Sequence, residues 1–93
     1  MQVFTVTQLA DHVRATLERD VQLRDIWVSG EASSVFQSAA GHLYFTIKDA
    51  AASIKSVLFS GNRGFEHVAL GAQINIHGRV SYYTVRGETQ IYV

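Results

Sequence analysis

The sequence predicts an all-β fold, a small closed barrel of five strands preceded by one α-helix. Apolar residues recur at helical spacing near the start of the chain, and five later segments alternate between apolar and polar residues. Gly78 interrupts the longest of these segments at a point where a closing barrel would bend. Because a chain of 93 residues has little material to cover sheet edges, closure into a barrel is favoured over an open sheet.

The predicted helix is amphipathic, with one apolar stripe. Its members follow at three- and four-residue spacing: Val6, Leu9, Ala10, Val13 and Leu17. Arg14, Glu18 and Arg19 are expected to point outward. We expect residues 1–22 to pack as this helix on a barrel of residues 23–93, the two forming a single domain.

The start of the helix carries capping signals. Thr5 and Gln8 fit a capping box, and Thr7 is an equally acceptable N-cap. Phe4 is placed to staple onto Leu9.

The five strands are predicted over residues 26–32, 42–48, 54–59, 72–83 and 88–93. The inward positions expected from alternation are Leu43, Phe45, Ile47, Ile54, Leu58, Ile74, Ile76, Val80 and Tyr82. Gly30 is interpreted as a bulge or bend, and residues 33–41 as a loop. Phe65 lies in an insert that suggests one short helical turn, and Gly87 in a hairpin loop can adopt a positive φ.

Composition and residue spacing exclude several classes of function. The chain has no cysteine, so disulfides and thiolate metal ligands are absent. Its four histidines lack zinc-site spacing, and its carboxylates are scattered, without the cluster that two-metal hydrolysis needs. We therefore expect no catalytic residue, metal or cofactor here. No signal peptide or membrane span is evident, which favours a cytoplasmic protein.

The formal net charge is zero, which by itself argues against nucleic acid as a partner. The charges are unevenly distributed, however. Residues 1–41 carry three arginines against five carboxylates, a balance of −2, whereas residues 42–93 carry five basic residues against three carboxylates, a balance of +2. A local basic patch is therefore compatible with the sequence.

Specific segments resemble a known family. Residues Gly41–Asp49 are similar to the G-H-x-Y-F-T-L-K-D signature of the exodeoxyribonuclease VII large subunit. Further matching blocks follow the family's order and cover essentially the whole chain: Trp27–Glu31, Ile54–Phe59, Gly78–Tyr83 and Arg86–Gln90. The resemblance implies an N-terminal five-stranded Greek-key OB-fold that holds single-stranded DNA for a nuclease.

The same resemblance implies a division of labour. A catalytic domain and a helical region that gathers small subunits are expected outside this chain, so the chain is interpreted as a truncated fragment without hydrolytic activity. Two departures stand out. Ser60 replaces a frequent basic residue, which weakens the electrostatic hold on DNA and leaves more to Phe59, and Thr89 replaces an aromatic residue.

An OB-fold binds oligonucleotides across strands two and three, flanked by the loops between strands one and two and between strands four and five. The residues predicted to contact nucleic acid are outward aromatic and basic ones: Phe36, His42, Tyr44, Lys48, Lys55, Phe59, Arg63, Tyr83 and Arg86. Val57 is also expected to face outward there. Rings would stack on bases and cations would neutralise phosphates, with Glu88 the one nearby carboxylate.

Alternatives remain open from the residues alone. The same fold can bind RNA, or serve as a protein-interaction or dimerisation module, with an incomplete fifth strand offering an edge for pairing. Phe59, Tyr44 and Phe36 would then form apolar contacts. The two lysines would be ordinary solvated charges or pair with Asp49, His42 would serve a structural hydrogen bond, and Trp27 is expected beneath the helix.

Overall fold

A computed structural model describes all 93 residues. The elements are α1 (Val6–Arg19), β1 (Ile26–Gln37), β2 (Leu43–Lys48), β3 (Ser53–Leu58), a 3-10 turn (Phe65–His67), β4 (Gln73–Tyr83) and β5 (Glu88–Tyr92). The strands close into a barrel in the order β1-β2-β3-β5-β4. All neighbouring strands are antiparallel except β3 and β5, which are parallel. The predicted helix and five-stranded barrel are confirmed.

The barrel interior is filled by the residues that the alternation of β2 predicted. Leu43, Phe45 and Ile47 are all buried, and they belong to one cluster with residues of the other four strands. The remaining members of that cluster are Ala32, Leu58, Ile76, Val80 and Ile91. Because the inner side chains of β2 occupy the interior, its outer side chains are free to line the surface.

Strand β1 is longer than predicted and belongs to both halves of the barrel. Its first half pairs with β4 from Ile26 to Glu31, and its second half pairs with β2 as far as Gln37. The expected loop from residue 33 is therefore largely strand. A register shift lies between Ser33 and Phe36, where Ser34 has a φ of 50°. The irregularity lies there rather than at the glycine predicted to form it, because this bulge lets β1 turn from one partner to the other.

Two glycines allow close approach of neighbouring strands. A Cβ on Gly30 would lie 2.7 Å from Ile47 Cγ1 and 2.8 Å from the Lys48 carbonyl oxygen. A Cβ on Gly78 would overlap the carbonyl oxygen of Tyr92. The β4 strand passes at Gly78 from its pairing with β1 to its pairing with β5. Gly78, where a bend was predicted, is therefore the point at which β4 changes its pairing partner.

The predicted capping box opens α1. The Gln8 amide N–H donates to Thr5 Oγ1 at 3.1 Å, and the Thr5 amide N–H donates to Gln8 Oε1 at 2.9 Å. The Phe4 ring stacks on His12, with 6.1 Å between the ring centroids.

The helix contacts the barrel mainly through β4. Ala10 is buried, whereas Val6 and Leu9, at the start of the same apolar stripe, are 86% and 51% exposed. Glu18 is exposed as expected, and it also accepts a hydrogen bond at Oε2 from Ser81 Oγ of β4 at 2.6 Å. The C-terminal half of α1 therefore carries the polar contact with the barrel. None of the helical segments has the length and apolarity that a membrane crossing requires.

The fifth strand is paired on both sides, with β3 through Lys55–Val57 and with β4 through Arg79–Tyr83. The prediction of an open edge at this strand is wrong for that reason. The hairpin loop before it has Gly87 at a φ of 63°, as predicted.

Candidate nucleic-acid interface

A groove of about 680 Å³ opens on the outer face of the barrel, over β2, β3 and β5. Six of the nine residues predicted to contact nucleic acid line it: Phe36, Tyr44, Lys55, Phe59, Tyr83 and Arg86. The structure thus brings together residues that are far apart in the sequence, from the first strand to the last.

The strand register explains the floor of the groove. Phe36 on β1 is paired with Tyr44 on β2, Tyr44 with Val57 on β3, and Val57 with Tyr92 on β5. Because paired residues project to the same face of a sheet, these four side chains form a transverse row. We call them the aromatic row. Val57, flanked by two tyrosines, is only 3% exposed, so it forms the floor rather than the exposed contact predicted for it.

A second row beside the aromatic row is polar. Thr46, Lys55 and Gln90 are paired in register across β2, β3 and β5. Lys55 Nζ lies 3.0 Å from Glu88 Oε1, and Gln90 donates to the other carboxylate oxygen of Glu88 at 3.2 Å. These hydrogen bonds, from Lys55 first, hold the pKa of Glu88 below its usual value. Glu88 is thus ionised near neutral pH and offsets the charge of Lys55.

Phe59 stands at one end of the groove among other rings. His42 meets it edge-on, with centroids 5.2 Å apart and planes at 85°, and Tyr92 stacks on it at 5.9 Å and 5°. The Ser60 amide N–H donates to His42 Nδ1 at 3.0 Å, which fixes the imidazole. His42 therefore positions Phe59, and the structural hydrogen bond considered for this histidine is present.

Tyr92 lines the groove and is absent from the sequence-based set. The Tyr92 ring stacks with Phe59 and also contacts Arg79, whose guanidinium carbon lies 4.8 Å from the Tyr92 ring centroid. Burial raises the pKa of the Tyr92 phenol, so its hydroxyl stays protonated in the neutral range. The alternation of β5 was the available signal, because Glu88, Gln90 and Tyr92 fall on one face.

Lys48 and Arg63 are predicted contacts that do not line the groove. Lys48 Nζ lies 3.6 Å from Glu31 Oε2, its register partner on β1, in a separate depression. Its alternative pairing with Asp49 is wrong. The Asp49 carboxylate instead accepts the amide N–H groups of Ala51 and Ala52, both at 2.9 Å, which lowers its pKa. Arg63 is exposed in the insert between β3 and β4.

Trp27 lies on the outer face of the β1–β4 pair and is 68% exposed. Its indole stacks on the His77 imidazole, with 4.6 Å between centroids and 8° between planes. His77 Nε2 in turn contacts Asp25 Oδ1. The expectation that Trp27 packs beneath the helix is therefore wrong, because its cross-strand partner His77 covers one face and solvent the other.

No group of three or more His, Cys, Asp or Glu side chains lies close enough to hold a metal ion. The groove offers ring faces, two cations and hydrogen-bonding groups. Ring faces stack on unpaired bases, and cations between them neutralise a sugar-phosphate backbone. A closed five-stranded barrel with such a groove over β2 and β3 defines an oligonucleotide-binding fold, or OB-fold.

Comparison with known proteins agrees with that class. The family described as "OB-fold nucleic acid binding domain" matches residues 4–93. The chain belongs to this family, which confirms the predicted fold.

Curated relatives carry the name exodeoxyribonuclease 7 large subunit, which confirms the family resemblance of the sequence. The chain is 38% identical over 94 residues to the one from Halothermothrix orenii, covering 99% of this chain and 23% of the relative. It is 35% identical over 92 residues to that of Halalkalibacterium halodurans, covering 97% and 20%. For Bacillus thuringiensis the identity is 36% over 94 residues, covering 99% and 21%. The chain therefore spans about a fifth of the length of these relatives.

Proposed function

We propose that the groove binds single-stranded DNA without sequence preference. The observation that carries this proposal is the aromatic row, in which ring faces from three strands lie side by side on one outer surface. Stacking of a base on an aromatic side chain contributes about 1–3 kcal/mol and tolerates any base. Duplex DNA keeps its bases paired and stacked, so such a surface favours a single strand.

The proposed contacts are the ring faces of Phe36, Tyr44, Phe59 and Tyr83, with Lys55 and Arg86 beside them. His42 contributes by holding Phe59. The electrostatic part is small, because the chain has no net charge and Lys55 is paired with Glu88. We therefore expect an affinity of about micromolar or weaker at physiological salt.

We further propose that this domain presents the strand to a separate catalytic domain that degrades it to oligonucleotides. The names of the relatives support this role, since they are nuclease subunits of which the chain covers about a fifth. The chain itself offers no cluster of carboxylates for metal-dependent hydrolysis. Contacts with small subunits would then involve other parts of a longer polypeptide.

Titration of fluorescent oligo-dT, oligo-rU and duplex DNA at two salt concentrations tests the proposal. Oligo-dT is expected to bind more tightly than duplex DNA, and more weakly as salt rises. Phe59→Ala removes one ring at the end of the groove and is expected to weaken oligo-dT binding about tenfold, equivalent to about 1.4 kcal/mol. Thermal melting by circular dichroism confirms that the variant is folded.

The alternatives give different results in the same experiment. An RNA-binding domain would prefer oligo-rU, which would remove DNA from the proposal but leave the groove. A concentration-dependent dimer that binds no oligonucleotide at low salt would contradict the proposal and identify the domain as an interaction module.

A further inference from the structure

The basic residues of this domain differ in whether a carboxylate already pairs with them. Lys48 is paired with Glu31 at 3.6 Å, and Lys55 with Glu88 at 3.0 Å. A phosphate that approached either lysine would have to compete with a carboxylate that is already in place. The electrostatic contribution of both lysines to phosphate binding is therefore reduced, although sequence patterns single them out.

Arg79 forms no ion pair. It projects from β4 next to the groove, and its guanidinium lies over the ring of Tyr92, a lining residue. Contact with a ring face limits the rotamers of an arginine but leaves its N–H groups free at the edge of the plane. Glu18, whose charge also acts on Tyr92, accepts a hydrogen bond from Ser81 at 2.6 Å and forms no ion pair with Arg79.

Arg86 also lines the groove and forms no ion pair, although its charge helps to lower the pKa of Glu88. Arg86 lies in the loop after β4, next to the pair formed by Tyr83 and Glu88. Arg79 is paired with Tyr92 at the other end of the β4–β5 ladder. These two pairs are four residues apart along β5, which corresponds to about 13 Å. The two unpaired arginines therefore stand at opposite ends of the β4–β5 ladder, with the groove between them.

We propose that Arg79, held over the ring of Tyr92, binds a backbone phosphate of the single strand at the β4 end of the aromatic row. The strand then follows the aromatic row across β1, β2 and β5 and reaches Arg79 at its β4 end. A guanidinium suits this role because its planar N–H groups bind two phosphate oxygens at once. This inference rests on the proposed function and assigns a further part of the same site.

The test measures how oligo-dT affinity depends on salt for the wild type and for Arg79→Gln. Each phosphate contact to a single strand contributes about 0.7 to the slope of log K against log salt. Arg79→Gln is expected to lower that slope by about 0.7, and to weaken binding about eightfold at 50 mM salt but only about threefold at 200 mM. Arg79→Lys keeps the charge and is expected to retain most of the slope.

Two variants serve as matched comparisons. Arg19→Gln makes the same change on the exposed last turn of α1, and is expected to leave the slope and the affinity as in the wild type. The double variant Lys55→Gln with Glu88→Gln removes an ion pair without changing the net charge, and is expected to change the slope less than Arg79→Gln does. Tyr92→Leu keeps an apolar side chain but removes the ring that holds Arg79, and is expected to weaken binding more at 50 mM than at 200 mM salt, though less than Arg79→Gln does.

Two outcomes would overturn the inference, and they are distinguishable. If Arg79→Gln binds with the wild-type slope while Phe59→Ala binds weakly, the groove holds DNA but Arg79 does not. If the wild type fails to bind oligo-dT at 50 mM salt, both the proposed function and this inference fail. Circular dichroism melts of each variant confirm that lost binding does not reflect unfolding.

Discussion

The barrel displays exposed rings on two faces, and their surroundings differ. On the groove face, rings from β1, β2 and β5 lie in one row with Arg79 at its β4 end, and Arg86 lies in the loop after β4. On the β1–β4 face, Trp27 and His77 form an isolated pair beside the carboxylate of Asp25. A carboxylate repels phosphate, whereas an unpaired guanidinium attracts it. The groove also contains the carboxylate of Glu88, but Lys55 and Gln90 bind it. Exposed rings alone therefore do not indicate a nucleic-acid site, and the balance of neighbouring charges distinguishes the two faces.

The largest expected effect is on stability, at Gly78, where β4 passes from its pairing with β1 to its pairing with β5. In Gly78→Ala the new methyl group would collide with the Tyr92 carbonyl, so β4 and β5 would have to separate. We expect a loss of about 3 kcal/mol in the free energy of unfolding, measured by urea denaturation. Asn75→Ala, at an exposed position of the same strand, is expected to change stability by less than about 0.5 kcal/mol. Equal stability of the two variants would contradict the close approach.

The comparison between the faces is tested directly by removing one ring from each. Tyr44→Ala is expected to weaken oligo-dT binding about tenfold, because it removes the centre of the aromatic row. Trp27→Ala, on the other face, is expected to change the affinity by less than about twofold. The measurement is fluorescence anisotropy with a labelled oligonucleotide.

Trp27 also provides an independent check, since it is the one tryptophan of the chain. Its emission in the wild type is expected to stay constant as unlabelled oligo-dT is added. Strong quenching would show that the strand reaches the β1–β4 face, and would remove the distinction drawn between the faces.

The smallest expected effect concerns pH and the ion pair on the groove face. The pKa of Glu88 in the folded chain lies below its usual value of 4.5. Its favourable contribution to stability is therefore complete above about pH 4.5 and is lost as the pH falls through the lower, folded-state pKa. The double variant Lys55→Gln with Glu88→Gln is expected to lose less stability than the wild type between about pH 6 and pH 3, measured by urea midpoints. An identical loss in both proteins would contradict the assignment.

The sequence predicted the fold and most of the groove because local patterns determine both. Alternation in β2 identifies Phe45 as inward and Tyr44 as outward without knowledge of the neighbouring strands. The same reasoning placed Val57 on the outer face, but could not show that two tyrosines flank and cover it. That burial depends on the register of β2 and β5 against β3, which the spacing within one strand does not contain.

Other misses have the same physical origin. The run of small residues around Ser34 is typical of a loop, yet it forms a bulged strand because β1 must turn between two partners. Lys48 is predicted to contact nucleic acid, but it pairs with its register partner Glu31 in a separate depression. Trp27 was expected under the helix, but its partner across the β1–β4 pair is His77. Each correction comes from a contact between residues that are distant in the sequence.

The course of β1 has a consequence for how the barrel assembles. Half of this strand needs β2, a few residues further along the chain, while the other half needs β4, which follows more than thirty residues later. A hairpin of β1 and β2 can form early, but it leaves the first half of β1 without partners until β4 arrives. Such non-local closure is slow, in the range of milliseconds to seconds for small β-barrels. The groove, whose floor includes the last strand, would therefore be complete only in the final step of folding.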